Sequence, residues 1–299
     1  MKKVLQLVYD LNCGGVEAFV TNLNSCKDVF HTPFDFLLFT WDEEEQFFEA
    51  KNREQGSKII KIVDWGKGNV FVRFIKRRKK FYDVVKNGHY EVVHIHKETI
   101  SCMVEAIIAK LAGADKVIVH SHNTHVAGTG KKAVIEKKIH YIGRLFWPLF
   151  VDQMCACSTE AGIWLFGEKN VKNNKVKILK NGIMGSDYYF NPEIREEYRK
   201  KLGWNDNRIV GHVGRFSEQK NHKFLVDIIS EMYKKDNSIR AILFGIGEMR
   251  EEIIDKVKSM GLEKIIIFPG TSPEINKWLQ AIDLFLFPSL YEGLPVAGI

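Results

Sequence analysis

Short apolar runs alternate with longer amphipathic segments along this whole sequence, and that alternation is the strongest limit on its fold. Val4 to Tyr9, Phe34 to Phe39, Lys58 to Val63, Glu91 to Ile95, Lys116 to His120, Asp152 to Ala156 and Val176 to Leu179 read as strands. Val16 to Leu23, an acidic stretch from Glu43 to Gln55, Val70 to Lys86 and Thr99 to Leu111 read as helices, and Ser158 is placed to cap another. After an Asn181-Gly182 turn the rhythm repeats. Helices are expected over Ile194 to Leu202, Phe224 to Met232, Met249 to Met260 and Pro273 to Ala281. Strands are expected over Ile209 to Val213, Arg240 to Phe244, Ile265 to Phe268 and Leu284 to Phe287. Strand–helix alternation predicts an α/β chain with parallel sheets and crossover helices. Its 299 residues suffice for two such domains. The expected division is 1–184, a linker over 185–191, and 192–299, with a ligand cleft between the domains.

The formal charge of +7 points to an anionic partner. Part of it is concentrated in the Val70 to Lys86 helix, where Arg73, Lys76, Arg77, Arg78, Lys79 and Lys80 interleave with Phe71, Phe74, Ile75, Phe81 and Tyr82. Cations beside aromatics suit an anionic bilayer surface; a solvated outer face is the plainer alternative. No nucleic-acid motif accompanies the charge, and nucleic acid is not expected as a partner. A segment from Lys131 to Phe150 reads as a long helix that could form a second interfacial surface or a lid. Cys13, Cys26, Cys102, Cys155 and Cys157 form no C-x-x-C pair and no disulfide ladder, which fits a reducing cytoplasm, with Cys155 and Cys157 as buried thiols on a strand.

Several turns could carry chemistry. In IVGHVGRFSEQKNHK, from Ile209 to Lys223, an apolar run ends at Gly214, and Arg215 and Lys220 bracket a polar turn before a helix. Backbone amides and a helix N-terminus can receive an anion, and Arg with Lys suits a diphosphate. A solvated loop that happens to carry two cations is the alternative. Gly14-Gly15 before a helix either lets a ligand approach the backbone or supplies a turn with positive φ. His120-Ser121-His122-Asn123-Thr124-His125 follows a strand, where open α/β sheets bind ligands. No carboxylate or thiolate nearby completes a metal-ligand set, so a sugar or phosphate contact is the better expectation. Gly245-Ile246-Gly247-Glu248 is a further turn at a helix N-terminus.

GRFSEQKN, then FGIGE, then FPSLYEGLP occur in that order, and together they resemble the second domain of family-4 retaining glycosyltransferases. The Gly14-Gly15 turn, a histidine after a mid-domain strand, and KILKNGI agree with the first domain, so the resemblance covers essentially the whole chain. It implies a GT-B fold: two Rossmann-like parallel-sheet domains, an acceptor-side one and a nucleotide-sugar donor-binding one. It implies a metal-independent, hexosyltransferase-type enzyme of bacterial capsule, exopolysaccharide or lipopolysaccharide synthesis. The donor would be a UDP- or GDP-sugar, the acceptor lipid-linked or a saccharide, and no further cofactor is implied. The enzyme would be cytoplasmic, on the inner face of the membrane. No D-x-D pair occurs in the chain.

Carried over by position, Arg215 and Lys220 match the pair on the donor diphosphate, and Gly214 opens their turn. Gly247 and Glu248 match the turn beside the nucleotide. Glu292 matches the first Glu of a motif contacting the donor sugar, with Gly293 and Leu294 offering backbone amides. Gly14 and Gly15 match the turn nearing the diphosphate, His122 the donor-sugar histidine (His120 the second choice), and Asn181 the stretch leading to the hinge. Retention implies front-side attack through an oxocarbenium-like state, the departing phosphate taking the acceptor proton. The second Glu of the motif would fall at position 300, beyond Ile299, so the sequence reads as C-terminally truncated. A catalytically inactive nucleotide-binding fragment, or a nucleotide-sugar epimerase on the same fold, is the alternative.

Overall fold

The computed structural model describes residues 2–26, 34–41, 43–63, 69–97, 99, 101–124, 138, 140–142, 144 and 147–299. These form two compact units: 1–182 with 292–296, and 183–291 with 297–299.

In the first unit, among the described residues, seven strands form one sheet: β1 (Val4–Val8), β2 (Phe34–Leu38), β3 (Ile59–Lys61), β4 (Val92–His96), β5 (Lys116–Ser121), β6 (Gln153–Ala156) and β7 (Val176–Ile178). Their order is β3-β2-β1-β4-β5-β6-β7, and every pairing is parallel. The strand order reverses between β1 and β4, the position at which doubly wound sheets open a crevice at their carboxyl ends. Strands buried on both faces read as continuous apolar runs. Period two divides the core accordingly: Leu5, Leu7 and Leu37 belong to one cluster, Val8, Phe36 and Leu38 to another.

Among the described residues six helices accompany this sheet: α1 (Gly15–Ser25), α2 (Glu49–Glu54), α3 (Val70–Gly88), α4 (Cys102–Leu111), α5 (Trp147–Phe150) and α6 (Thr159–Phe166), with α7 (Glu168–Lys172) a single further turn. Ser158 caps α6 as expected, its hydroxyl accepting from the Ala161 amide. The acidic stretch is helical only over α2. Glu49 reaches back to accept from the Gln46 amide, which starts the helix there, while Gln46 itself is taken up by Leu11 and Thr40. Of the expected Lys131 to Phe150 helix, residues 131–137, 139, 143, 145 and 146 lie outside the described residues; 138 and 140–142 are helical, and α5 follows with Trp147 buried and donating to the Leu165 carbonyl. No disulfide joins the five cysteines, and Cys102, Cys155 and Cys157 are buried; burial pushes the Cys155 thiol up to about 11.

The second unit has a four-stranded parallel sheet of β8 (Arg208–Val213), β9 (Ile239–Phe244), β10 (Ile266–Gly270) and β11 (Leu284–Phe285), in the order β10-β9-β8-β11. Around it lie α8 (Pro192–Leu202), α9 (His222–Lys235), α10 (Arg250–Ser259) and α11 (Ile275–Ala281). Asn191 caps α8 with Pro192 in its first turn, and Gly203, at φ 67°, closes it. Residues 185–191, read from sequence as a linker, are tied into this unit: Gly185–Tyr188 is a 3-10 turn, Asn276 donates to the Asp187 carbonyl, and Gln280 to that of Tyr189.

Candidate functional site

The expected site residues fall into two groups, one in each unit. In the second unit Gly214, Arg215 and Lys220 follow β8, and Gly247 and Glu248 follow β9. The two loops are bonded together. Gly214 N–H donates to the Phe244 carbonyl (3.0 Å), Phe216 N–H to that of Ile246 (2.9 Å), and Met249 N–H to that of Phe216 (3.0 Å). The β8 loop is also joined to the segment after β11: Leu290 N–H donates to the Gln219 carbonyl (2.8 Å), Gln219 Nε2 to that of Tyr291 (2.9 Å), and Asn221 Nδ2 to that of Pro288 (3.3 Å).

This bonding corrects one expectation. The amides of Gly214, Phe216, Ser217, Lys220 and Asn221 are spent within the fold and are not open to an anion. Arg215 is exposed. Lys220 is half-buried, its ammonium 4.7 Å from the centre of the Phe287 ring. Gly214 makes room rather than bonds: a Cβ there would lie 2.8 Å from His212 Nε2 and 3.3 Å from the Lys220 side chain. Gly245 and Gly247 are required more strictly. Their φ values are 141° and 154°, and a Cβ would meet the Gly214 oxygen at 2.0 Å and the Phe216 oxygen at 2.4 Å. Gly247→Ala is expected to destabilise the chain by about 1–3 kcal/mol from backbone strain alone. A urea midpoint equal to that of the parent would contradict this.

In the first unit Glu292, Gly293 and Leu294 lie against the carboxyl end of the sheet. Thr124 Oγ1 donates to the Glu292 carbonyl (3.1 Å), and Asn181 Nδ2 to the Leu294 carbonyl (2.6 Å). Gly293 abuts the carbonyl of His122, where a Cβ would sit 2.2 Å from the oxygen, and the Leu294 side chain packs on the core. Gly14 and Gly15 are near the same segment, the Cβ position of Gly15 being 4.0 Å from Val296. Positive φ is not their reason. Gly14 is extended, at φ −157°, and its missing Cβ leaves space for the Glu17 carboxylate in the first turn of α1.

His122 belongs to a buried cluster larger than the sequence reading allowed. His96 pairs with His120 in the β4–β5 register and Gln6 with His94 in the β1–β4 register, so period two brings Gln6, His94, His96, His120 and His122 onto one face. The signal was available as the alternations His94-x-His96 and His120-x-His122, but their meeting depends on a parallel register. His125 lies outside the described residues. Burial keeps these imidazoles neutral, lowering His94 and His122 to about 3 and His96 and His120 well below the usual value. Ring nitrogens of His94, His96 and His120 lie within 4.8 Å of one another. The His94 and His120 rings are nearly parallel, at 8° and 5.4 Å, so their in-plane lone pairs do not converge on one point, and both His96 nitrogens are already bonded. The contacts within the cluster are the two His96 hydrogen bonds and ring stacking, while His94 Nε2 and both His120 nitrogens are buried without a partner among the described residues.

Lys97 and Glu105 were also not legible. Lys97, just beyond β4, donates to Glu105 Oε1 at 2.7 Å, and Arg78 reaches the same oxygen at 3.1 Å. This buried trio turns Arg78 inward, and Arg77 stacks on the Phe39 ring at 3.8 Å. Of the six cations assigned to a membrane face, Lys76, Lys79 and Lys80 are the exposed ones, beside exposed Phe71, Phe74 and Ile75. No helix among the described residues is long and apolar enough to cross a membrane.

Known proteins are similar to this chain in sequence and fold. The family model "Glycosyl transferases group 1" matches residues 194–299. A Bacillus subtilis protein classed as glycosyltransferase EpsF is 31% identical over 99% of this chain and 75% of its own length. A Campylobacter jejuni α-1,4-N-acetyl-D-galactosaminyltransferase, named for an undecaprenol-diphosphate-linked saccharide, is 23% identical over all of this chain and 76% of its own length. Anabaena HepE, solved with UDP and glucose, superposes with a TM-score of 0.72 at 19% identity, over 97% of this chain and 74% of HepE. The fold is GT-B, and the chain belongs to the group 1 glycosyltransferases.

Proposed function

We propose that this chain moves a hexosyl unit from a UDP-sugar to a lipid-linked or saccharide acceptor in bacterial surface-polysaccharide synthesis, with retention at the anomeric carbon and without a metal. The observation that carries the reading is the pair of loops in the second unit, where Arg215 and Lys220 stand on a hydrogen-bonded frame shared with Gly247 and Glu248. Fixed cations on a rigid frame can stabilise the charge that grows on a departing diphosphate. In the reaction the bond from the anomeric carbon to phosphate oxygen breaks, the bond to the acceptor oxygen forms, and the acceptor proton passes to the phosphate. UDP is favoured as the nucleotide because HepE was solved with UDP, and a lipid-linked acceptor because the Campylobacter relative is named for one. In the first unit, Glu292, Gly293 and His122 would meet the donor sugar, and Gly14 and Gly15 the diphosphate.

Calorimetric titration of the full chain with UDP, GDP and ADP tests the reading. UDP is expected to bind at least about tenfold more tightly than the others, a difference of about 1.4 kcal/mol. Absence of UDP binding by folded protein would sink it.

A peripheral position on the cytoplasmic face of the membrane is part of the same proposal. The exposed Lys76, Lys79 and Lys80 with Phe71, Phe74 and Ile75 support it. The chain is expected to sediment with anionic vesicles at low ionic strength and to be released as salt rises, and charge reversal at the three lysines should abolish the effect. A chain that stays in the supernatant at low salt would rule the surface out.

A further inference from the structure

Gln6, His96 and His122 form an unbroken hydrogen-bond chain. Gln6 Oε1 lies 2.7 Å from His96 Nε2, and His96 Nδ1 lies 2.8 Å from His122 Nε2. The chain ends at His122 Nδ1, which is buried and has no partner among the described residues. Gln6 is 1% exposed on β1, so its carboxamide does not exchange freely with water.

Each neutral imidazole has one N–H and one bare nitrogen. A carboxamide oxygen can only accept, so His96 Nε2 carries the proton and His96 Nδ1 is bare. His122 Nε2 must then donate to His96, which leaves His122 Nδ1 bare as well. A reversed Gln6 carboxamide would invert the sequence, its NH₂ donating to His96 Nε2 and His122 Nδ1 becoming an N–H donor. Gln6 therefore decides, two side chains away, whether the free end of His122 accepts or donates.

The neighbours do not relieve that free nitrogen. His120 stacks on the His122 ring face to face, at 4.1 Å and 29°, and Phe19 approaches it at 5.2 Å. These contacts hold the plane of the ring and supply no donor in it. A buried acceptor without a donor is unfavourable, and a hydroxyl removes the penalty.

We propose that Gln6 and His96 are positioning residues that hold His122 with a bare Nδ1, so that this histidine takes a sugar hydroxyl and disfavours a group that can only accept, such as a carboxylate. The proposal rests on the reading of His122 as a donor-sugar contact.

The test is a long-range proton–nitrogen correlation spectrum of the full chain with ¹⁵N-labelled histidine. In the parent, His96 and His122 are both expected to be protonated at Nε2. Gln6→Met keeps the side-chain volume but removes the acceptor, and should shift the His122 tautomer ratio by about tenfold. A parent spectrum with His122 protonated at Nδ1 overturns the relay, as does a Gln6→Met spectrum with unchanged tautomers. The parent measurement needs neither a variant nor a ligand. A wrong tautomer therefore sinks the relay alone, whereas failure of the UDP titration sinks the functional reading and leaves the tautomer standing.

Discussion

Lys220→Ala is expected to lower kcat/KM for nucleotide release from the donor by roughly 10²–10³-fold, with most of the loss in kcat. The ammonium sits over Phe287 and its stem runs beside Gly214, so it is held in place before any ligand arrives. A group fixed in advance pays little reorganisation when charge develops on a departing phosphate, which is why its removal should fall on the transition state more than on binding. Arg215 is exposed and less constrained, and Arg215→Ala should cost less, roughly tenfold to 10²-fold. Lys220→Arg is not expected to restore the rate, because a planar fork does not fit a site shaped for a point charge. Steady-state rates for the three variants decide the matter. A loss confined to KM would mean that Lys220 binds donor and transition state alike, and a loss below about threefold would remove it from the site.

The second large effect is on stability in acid. His94 and His122 are lowered to about 3 in the first unit, and His212 and His222 to about 4 and 3 in the second, in each case chiefly by burial. In the unfolded chain they titrate near 6.5. The unfolded state therefore binds protons that the folded state refuses. The stability these rings contribute is complete above about pH 6.5 and declines as pH falls from there toward the folded values. At pH 5, one ring displaced from 6.5 to about 3 has lost on the order of 2 kcal/mol. Two such rings in one unit remove about 4 kcal/mol, a large part of the stability of an ordinary domain. Urea midpoints at pH 7.5, 6 and 5 should fall steeply, and His94→Phe, with one titrating ring fewer, should fall less. Midpoints that do not move across this range would mean that the histidines are already charged or wet.

Features fixed by local sequence were readable in advance: the strand–helix rhythm, the Ser158 cap, and the ordered turns around Arg215, Gly247 and Glu292. Features that depend on distant pairing were not. Gln6 meets His96 across 90 residues, because β1 and β4 are neighbours in a parallel sheet; neither residue marks the other in a linear scan. The Glu43 to Gln55 stretch misled for a related reason. Its composition suits a helix, yet the Gln46 side chain is claimed by Leu11 and Thr40, and only residues from Glu49 onward coil. Of the two sequence readings of Gly14-Gly15, the left-handed turn fails, since Gly14 is extended and leaves room for the Glu17 carboxylate.

The segment from Glu292 to Val296 is packed with the first unit although the residues on either side of it are counted with the second. Neither unit is therefore one continuous stretch of the gene. A chimera joined at residue 182 would combine one parent's sheet with the other parent's Glu292, Gly293 and Leu294, placing mismatched side chains against Asn181, Thr124 and His122. Recombination between relatives would have to exchange both stretches together to keep that part of the site in one lineage.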